Sequence, residues 1–579
     1  MSVQAGWNWC SLCQGLFFSG GASKGVCPVH GNEGHDSNNG EFSFAVVTGN
    51  VTAGAQPGWR FCWKCAGMFF SGNPGSVCPA GQAHDASKSG HYSIQFGDNV
   101  PGTQGLWRWC RKCQGMFFSG DGSMGACPVG TTATSVSPHD PTGSGAYGVP
   151  WPNPTTSWDT GTGKHSIAIG GNPADANIAA SSSHVCVTAR AAFACYTKMG
   201  TLVSPGPGFA AAPITAKKFF EESGISTITS FTNDSNFTKD GRVVFEPFLK
   251  RFFLVVQSRE SPARLLIACS KTEDPSDGWH TYADVVGNAA ALVQDYQFLG
   301  INGKYLLVTN GMGGKWRHFM YSTAEMAEGK PYTRGEWADT AAERACPCVH
   351  NSFTTDAYWV HRDDDTTGSV WGVRDGNVTT VQFSVQSSSG PIKAPEPGGL
   401  QVDFQNIGRA MQNAQYRDGK IVCVSNDGAS WDGVSGTSNA VRLLKLDVSK
   451  FYDASPSVTV EIDRIFGKAS ADDPAGQVFD YGWPAVAANA NGDIVVGSVR
   501  CNPTTFPELR ASVWYHGKPD IESSVLLAAG TGPLTEYHMA GACTDPSSNG
   551  IYLAQQWNGS NPTKQVWRIR VVKMLDYPL

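Results

Sequence analysis

Charge is scarce in this sequence. Only 16% of the 579 residues are charged, and the formal net charge is −6. Arg60, Lys64, Arg108, Arg111 and Lys112 are scattered rather than gathered into a basic run, so nothing reads as a nucleic-acid or bilayer surface. No apolar run approaches the length of a membrane span. The stretch Met1 to Trp7 has neither a basic n-region nor an apolar h-region, so no signal peptide is expected. The expectation is a cytoplasmic chain or one exported by a non-classical route. Strand–helix alternation is missing, and so are a Gly-rich phosphate loop and a recognisable Ser-His-Asp arrangement. What is abundant is glycine, with 67 residues, and tryptophan, with 18, which is the composition of a turn-rich all-β protein.

The strongest signal is a threefold repeat. Cys10-x-x-Cys13 is followed by Gly15 and Phe17-Phe18, and the pattern returns at Cys62-x-x-Cys65 and Cys110-x-x-Cys113. Each copy runs on to a Cys-Pro pair at Cys27, Cys78 and Cys127, and then to a His-Asp pair at His35, His84 and His139. An aromatic residue follows, at Phe42, Tyr92 and Tyr147. Three thiols cannot pair off within one unit, but with the histidine they make a four-ligand set for a tetrahedral zinc. The expected ligands are Cys10, Cys13, Cys27 and His35; Cys62, Cys65, Cys78 and His84; and Cys110, Cys113, Cys127 and His139. His30 competes in the first copy but has no counterpart in the others. Disulfides between copies, or buried reduced thiols, are the bland alternative. Gly15, Gly67 and Gly115 are expected where the backbone bends back after the second cysteine. Asp36, Asp85 and Asp140 would either orient the neighbouring histidine or cap the turn. Units of about 50 residues are too small for a large core, and a structural metal with a few aromatics is the usual remedy. The repeats resemble tandem zinc-ribbon or zinc-knuckle modules, which implies three structural zinc ions.

These features divide the chain into zinc modules over 1–50, 51–100 and 101–147, a Pro/Thr/Gly linker over 148–164, and one large domain over 165–579. In the last region short apolar runs alternate with turns. Examples are His184 to Ala194, Arg251 to Gln257, Ile421 to Ser425 and Ile494 to Val499. Turn pairs such as Asn302-Gly303, Asp418-Gly419 and Asn491-Gly492 precede second strands. Helical periodicity surfaces only around Ala211 to Ser223 and Ser322 to Glu328. Some 415 residues of this texture exceed one sandwich and predict a six- or seven-bladed β-propeller at roughly 40–60 residues per blade. The eight cysteines here, Cys186, Cys195, Cys269, Cys346, Cys348, Cys423, Cys501 and Cys543, read as buried free thiols. Cys346-Pro347-Cys348 is too close for easy pairing within itself.

The stretches Val243 to Val255, Ile267 to Trp279, Asp295 to Leu306 and Trp483 to Gly497 resemble blades of the sialidase-like and glycosidase-like β-propellers of bacterial secreted proteins. The resemblance implies a fold and, as one alternative, glycoside hydrolysis of sialidase or arabinofuranosidase type. That chemistry needs two carboxylates flanking the bond. Glu246, Asp295, Asp356, Asp480 and Glu536 sit near strand ends, and Arg251, Arg317, Arg374 and Arg500 qualify by residue type for a substrate carboxylate. Ser425 to Trp431 falls one residue short of an Asp-box turn. Asp363-Asp364-Asp365 is read as a charged hairpin tip, with calcium as the alternative. No paired-carboxylate motif is legible. The expected function is therefore a non-catalytic binding protein that presents its modules and propeller to a glycan or protein partner, with avidity from repetition. A glycoside hydrolase with targeting modules is the runner-up. A toxin or cargo of a signal-independent secretion machine is the third reading.

Overall fold

The computed structural model describes residues 3–575 apart from 21–22, 37–42, 53, 99–102, 121, 133, 151–155, 160–174, 190–191, 226–238, 259–261, 288–296, 313–314, 339–343, 406–407, 469–476, 535–539 and 559–567. Two compact units are present, one over Met1–Thr156 and one over Ser157–Met574.

The first unit is a single nine-stranded sheet built from the three repeats. Each repeat contributes a long strand, a three-residue strand and a third strand. These are β1 (Val3–Trp9), β2 (Leu16–Phe18) and β3 (Ser43–Thr48); β4 (Ala55–Phe61), β5 (Met68–Phe70) and β6 (Tyr92–Phe96); and β7 (Thr103–Trp109), β8 (Met116–Phe118) and β9 (Tyr147–Pro150). Within each repeat the long strand pairs with the other two. Between repeats, β3 pairs β6 and β6 pairs β9.

A second set of contacts closes the three repeats into a ring. The Phe18 amide donates to the Ala66 carbonyl, Phe70 to Gln114, and Phe118 back to Gln14, each at 2.9 Å. Aromatic pairs follow the same cycle. Trp7 meets Tyr92 at 5.4 Å, Trp59 meets Tyr147 at 5.5 Å and Trp107 meets Phe44 at 5.3 Å, all edge to face. Such pairs add about 0.5–1.5 kcal/mol each beyond simple burial. The first copy uses Phe44, two residues beyond the expected Phe42, which lies outside the described residues. Each repeat alone is too small to bury its tryptophan. The ring buries all three completely.

In the second unit most of the described strands fall into antiparallel meanders of four; Ile214–Thr215 adds a fifth strand to one, Val349–His350 joins two others by parallel pairing, and Lys393–Glu396 pairs with Leu400–Asp403 in a sheet of their own. The first strands of the meanders are Asn177–Ala180, Lys239–Glu246, Phe298–Ile301, Cys346–Pro347, Met411–Arg417, Asp480–Ala488 and Gly541–Thr544. The last meander takes its fourth strand from the other end of the chain: Thr156–Asp159 pairs with Arg568–Met574. This closure, with a central cavity lined by first-strand residues such as Ile178, Val243, Leu299, Asn413 and Ala542, makes the unit a β-propeller. Two short helices occur near the expected places, Ala216–Glu222 and Thr323–Ala327. The first buries Phe219 against Phe193 at 4.8 Å and Trp279 at 5.8 Å.

Strands buried on both faces, such as Lys420–Ala429 and Ile494–Asn502, are the ones that read as apolar runs. His184 to Ala194 spans parts of two paired strands, His184–Ala189 and Ala192–Thr197, rather than one. Among the outer strands Asn377–Ser384 is mostly exposed and Thr459–Phe466 has no buried residue, and their polar alternation hid them.

Ring closure makes a specific demand on Gly25. Its φ is +69°, and a Cβ there would lie 2.1 Å from the Cys65 carbonyl oxygen of the next repeat. Gly75 also has positive φ, at +85°, but faces open space. Gly75→Ala should cost about 1–2 kcal/mol from backbone strain alone. Gly25→Ala should cost clearly more, because main chain must move. Denaturant midpoints of the full chain, read by tryptophan fluorescence, check the order of the two.

Candidate metal centres

Three groups of four side chains converge in the first unit: Cys10, Cys13, Cys27 and His35; Cys62, Cys65, Cys78 and His84; Cys110, Cys113, Cys127 and His139. In each group the ligand atoms lie within 4.8 Å of one another, and each group could hold a metal ion. These twelve side chains are the ones named from the sequence, and the structure groups them in three fours. His30 is exposed and belongs to no group.

The distances suit a tetrahedron. Bond lengths of about 2.3 Å to sulfur and about 2.0 Å to nitrogen imply edges of about 3.8 Å between sulfurs and about 3.5 Å from sulfur to nitrogen. The observed sulfur pairs are Cys10–Cys27 at 4.0 Å, Cys62–Cys78 at 3.8 Å and Cys110–Cys127 at 3.9 Å. Nδ1 of the histidine faces the second cysteine at 3.4, 3.4 and 3.5 Å.

Local structure positions each ligand. The first cysteine directly follows the long strand, and its amide donates to the glycine carbonyl five residues on, as in Cys10 to Gly15 at 3.0 Å. The turn between them places Gln14, Ala66 and Gln114 in the left-handed region, at φ of 63°, 59° and 67°. The expected bend thus falls one residue earlier than Gly15, Gly67 and Gly115, none of which has positive φ. These glycines serve close approach instead. A Cβ at each would lie 3.3–3.4 Å from the Sγ of the second cysteine.

The surrounding shell is specific. The first phenylalanine of each Phe-Phe pair stacks on the ligand imidazole, at 4.7 Å for Phe17–His35, 4.7 Å for Phe69–His84 and 4.6 Å for Phe117–His139. The second packs against the buried tryptophan of its own repeat, as Phe18 does on Trp7 at 5.4 Å. His35 Nε2–H donates to the Cys65 carbonyl at 3.0 Å, which ties one centre to the next and fixes the tautomer. The amides of Asp85 and Asp140 donate to Cys62 Sγ at 3.3 Å and Cys110 Sγ at 3.4 Å. The aspartate side chains cap the turns rather than orient the histidines, with Asp85 accepting from the Ser87 amide and Asp140 from that of Thr142.

Among protein atoms alone the three sulfurs of a group cannot all ionise. Hydrogen bonding from its neighbours, Cys10 foremost, holds Cys27 far below the ordinary thiol range, while the same neighbour pushes Cys13 up. Cys62 and Cys110 are likewise held down and Cys65 and Cys113 pushed up. A dication relieves that conflict, since every ligand thiol binds it as thiolate.

The propeller scatters the other candidates. Glu246 is fully buried, accepts from the Leu249 amide through Oε2, and leaves Oε1 without a hydrogen-bond partner. Burial pushes its carboxyl up to about 7. Asp356 is engaged by Arg374 at 2.8 and 2.6 Å. Asp480 accepts from the backbone and side chain of Asn439 at 2.7 and 2.9 Å. Asp295 and Glu536 lie outside the described residues. Arg251 bonds carbonyls of its own turn, Arg317 meets Glu336, and Arg500 meets Glu508. The four expected arginines therefore do not gather. A different set does: Arg362, Arg409 and Arg442 surround Asp427, at 3.4, 3.4 and 2.5 Å. Asp427 is buried within strand Lys420–Ala429, so the stretch Ser425 to Trp431, one residue short of an Asp-box in the sequence, holds its aspartate in a strand and not in a turn. Asp363, Asp364 and Asp365 do form a hairpin tip. Their carboxylates meet His361, the Thr366 and Thr367 amides, and Arg409.

The central cavity holds about 270 Å³. Sequence reasoning missed its most distinctive group, Arg417. This guanidinium lines the cavity and makes no hydrogen bond or ion pair among the described residues; its Nε is buried and unpartnered. Asp545, in the same lining, is already met by Lys198 at 2.6 Å and Lys573 at 3.0 Å. Phe248 and Phe353, both exposed, form an edge-to-face pair at 5.2 Å beside it.

No family model matches the chain, and no curated protein matches it. Solved structures similar to it include the GH93 alpha-L-arabinofuranosidase of Fusarium graminearum, at 10% identity over 59% of this chain and 94% of that one, with a TM-score of 0.35. Drosophila semaphorin 1b, extracellular domains 1-2, matches at 9% identity over 72% and 86%, with a TM-score of 0.34. A Trypanosoma rangeli sialidase matches at 8% identity over 59% of this chain, with a TM-score of 0.31, and the match spans 54% of the sialidase.

Two outcomes follow from these sites. If each group holds one ion, Cys62→Ser should lower the metal content of the full chain by about one equivalent, measured by elemental analysis after gel filtration, and should lower the denaturant midpoint through the shared ring. For Glu246, the folded chain holds a proton between pH 4.5 and about 7 that the unfolded chain releases. Stability therefore falls as pH rises through that window. Glu246→Gln should raise the melting temperature at pH 8 and change it little at pH 5. The expected gain at pH 8 is on the order of 2–3 kcal/mol.

Proposed function

We propose that the chain is a non-catalytic, zinc-containing binding protein, and that its ligand is a carboxylate-bearing glycan seated at the mouth of the propeller cavity. The zinc assignment is supported by the donor set: three sulfurs and one nitrogen at tetrahedral spacing, with no fourth position left open, is the composition of a structural zinc site. The single observation that carries the binding reading is Arg417. A half-buried guanidinium without an acceptor is costly unless a ligand supplies one, and a carboxylate matches its planar fork. The nearby carboxylate, Asp545, is held by two lysines, so the lining favours an anion. Phe248 and Phe353 offer ring faces to the apolar side of a sugar.

Repetition in the first unit does not supply avidity in this account. The residues that recur are spent internally on ligands, stacking and ring closure. The positions after the first cysteine, Ser11, Trp63 and Arg111, differ in every copy.

Glycoside hydrolysis has one observation in its favour. A carboxyl held at about 7, as Glu246 is, suits a general acid. Among the described residues no second carboxylate faces it across a cavity, and its Oε2 is already committed to a turn.

Binding of the full chain to an array of acidic and neutral oligosaccharides, followed by calorimetry, tests the reading. Acidic ligands should bind, and Arg417→Gln should weaken them at least tenfold while leaving the melting temperature near that of the parent. Retention of neutral glycans only, or unchanged affinity in Arg417→Gln, would contradict it. Release of reducing sugar that disappears in Glu246→Gln would establish the hydrolase instead.

A further inference from the structure

The eight cysteines of the second unit fall outside the three metal groups. One pair among them differs from the rest. Cys186 lies in strand His184–Ala189 and Cys195 in strand Ala192–Thr197, directly opposite each other in an antiparallel ladder. Opposite residues hold their Cβ atoms about 4.5–5.5 Å apart, and a disulfide closes across about 3.5–4.5 Å, so only a small approach is needed. The sulfurs are 3.1 Å apart. That is well inside the 3.8–4.0 Å of the metal groups, too short for the edge of a tetrahedron around an ion. No further ligand completes a metal set around the pair among the described residues. Both side chains are fully buried, so neither reaches solvent for another partner.

We propose that Cys186 and Cys195 form a structural disulfide, made while the chain folds. The oxidant is a low-molecular-weight disulfide such as oxidised glutathione. One cysteine thiolate attacks it and displaces one glutathione thiolate. The second cysteine thiolate then attacks the protein sulfur of the mixed disulfide and displaces the other. The protein loses two protons and two electrons, and the glutathione disulfide is reduced to two thiols.

Burial decides the timing. In the folded chain desolvation pushes the Cys186 thiol well above its ordinary range, and neither sulfur is exposed to an oxidant. Exchange requires an accessible thiolate, which only the unfolded or partly folded chain provides. The bond would clamp two strands of the first meander. One face of these strands packs on the closing meander through Val185, Val187 and Tyr552, and the other carries both cysteines against Phe193 and Phe219. The clamp therefore sits at the joint where the ring of meanders closes.

The test uses the full chain. It is unfolded in guanidinium with reductant, then refolded with zinc sulfate in a mixture of reduced and oxidised glutathione. A second sample is refolded under reductant, freed of it, and only then exposed to oxidised glutathione. Both are denatured with chelator, alkylated with iodoacetamide, and examined by intact mass and peptide mapping. In the oxidatively refolded sample, all but two of the 17 cysteines should alkylate, with one cross-link joining Cys186 to Cys195. The protein folded under reductant and only then exposed to oxidised glutathione should alkylate at all 17. Full alkylation after oxidative refolding would overturn the proposal. So would a cross-link from Cys186 to Cys543, the cysteine that lines the cavity, or a Cys195→Ala variant that still loses two alkylation sites.

Discussion

Three sulfurs and a ring nitrogen packed within 4.8 Å cannot all take the form that binds metal, thiolate and neutral imidazole, unless a cation stands among them. The first unit contains that arrangement three times, and much of its structure follows from it. The left-handed turn after the second cysteine aims two thiolates at one point, and the glycine beside it leaves room for the sulfur. The phenylalanine stacked on each imidazole fixes the ring plane. The three centres are not independent modules in energetic terms. His35 reaches the main chain of the second repeat, and each short strand bonds the knuckle of the next. Ring closure thus gives a physical reason for the tandem repetition: three units, each too small to bury a tryptophan, share one aromatic interior.

Much of this was legible in the sequence because metal chemistry imposes residue type and spacing together. The twelve residues that converge in three groups could be named from the sequence, since three cysteines and one histidine recur in order. The all-β class and the propeller were legible from apolar runs such as Ile421 to Ser425 and from the turn pairs that punctuate them. Cyclic closure was not, because it depends on backbone amides at Phe18, Phe70 and Phe118, and backbone bonds leave no residue signature. The same holds for the left-handed residues. Gln14, Ala66 and Gln114 share the conformation but not the side chain, so the neighbouring glycines drew the assignment.

The propeller's functional groups were the least legible, for a different reason. An acid or arginine near a strand end has no periodicity, and only the fold decides what it meets. Asp427 lies in a stretch one residue short of a turn motif, and its place is in a strand, buried among three arginines. Arg374 and Asp356, both candidates, satisfy each other. Arg417 carries no signal in the sequence, yet it lines the central cavity and its guanidinium makes no hydrogen bond among the described residues. A binding reading and a hydrolytic reading differ physically in one respect: whether that cavity meets one committed cation or two opposed carboxylates.

The most direct measurement is the metal content of the purified full chain by elemental mass spectrometry, paired with thiol titration in denaturant before and after addition of a chelator. Three zinc equivalents per chain, with nine cysteines that react only once the metal is removed, is the result expected of three centres of three thiolates and one imidazole. No bound metal, with those nine cysteines oxidised among themselves, would contradict the account and make the ring a disulfide-linked structure.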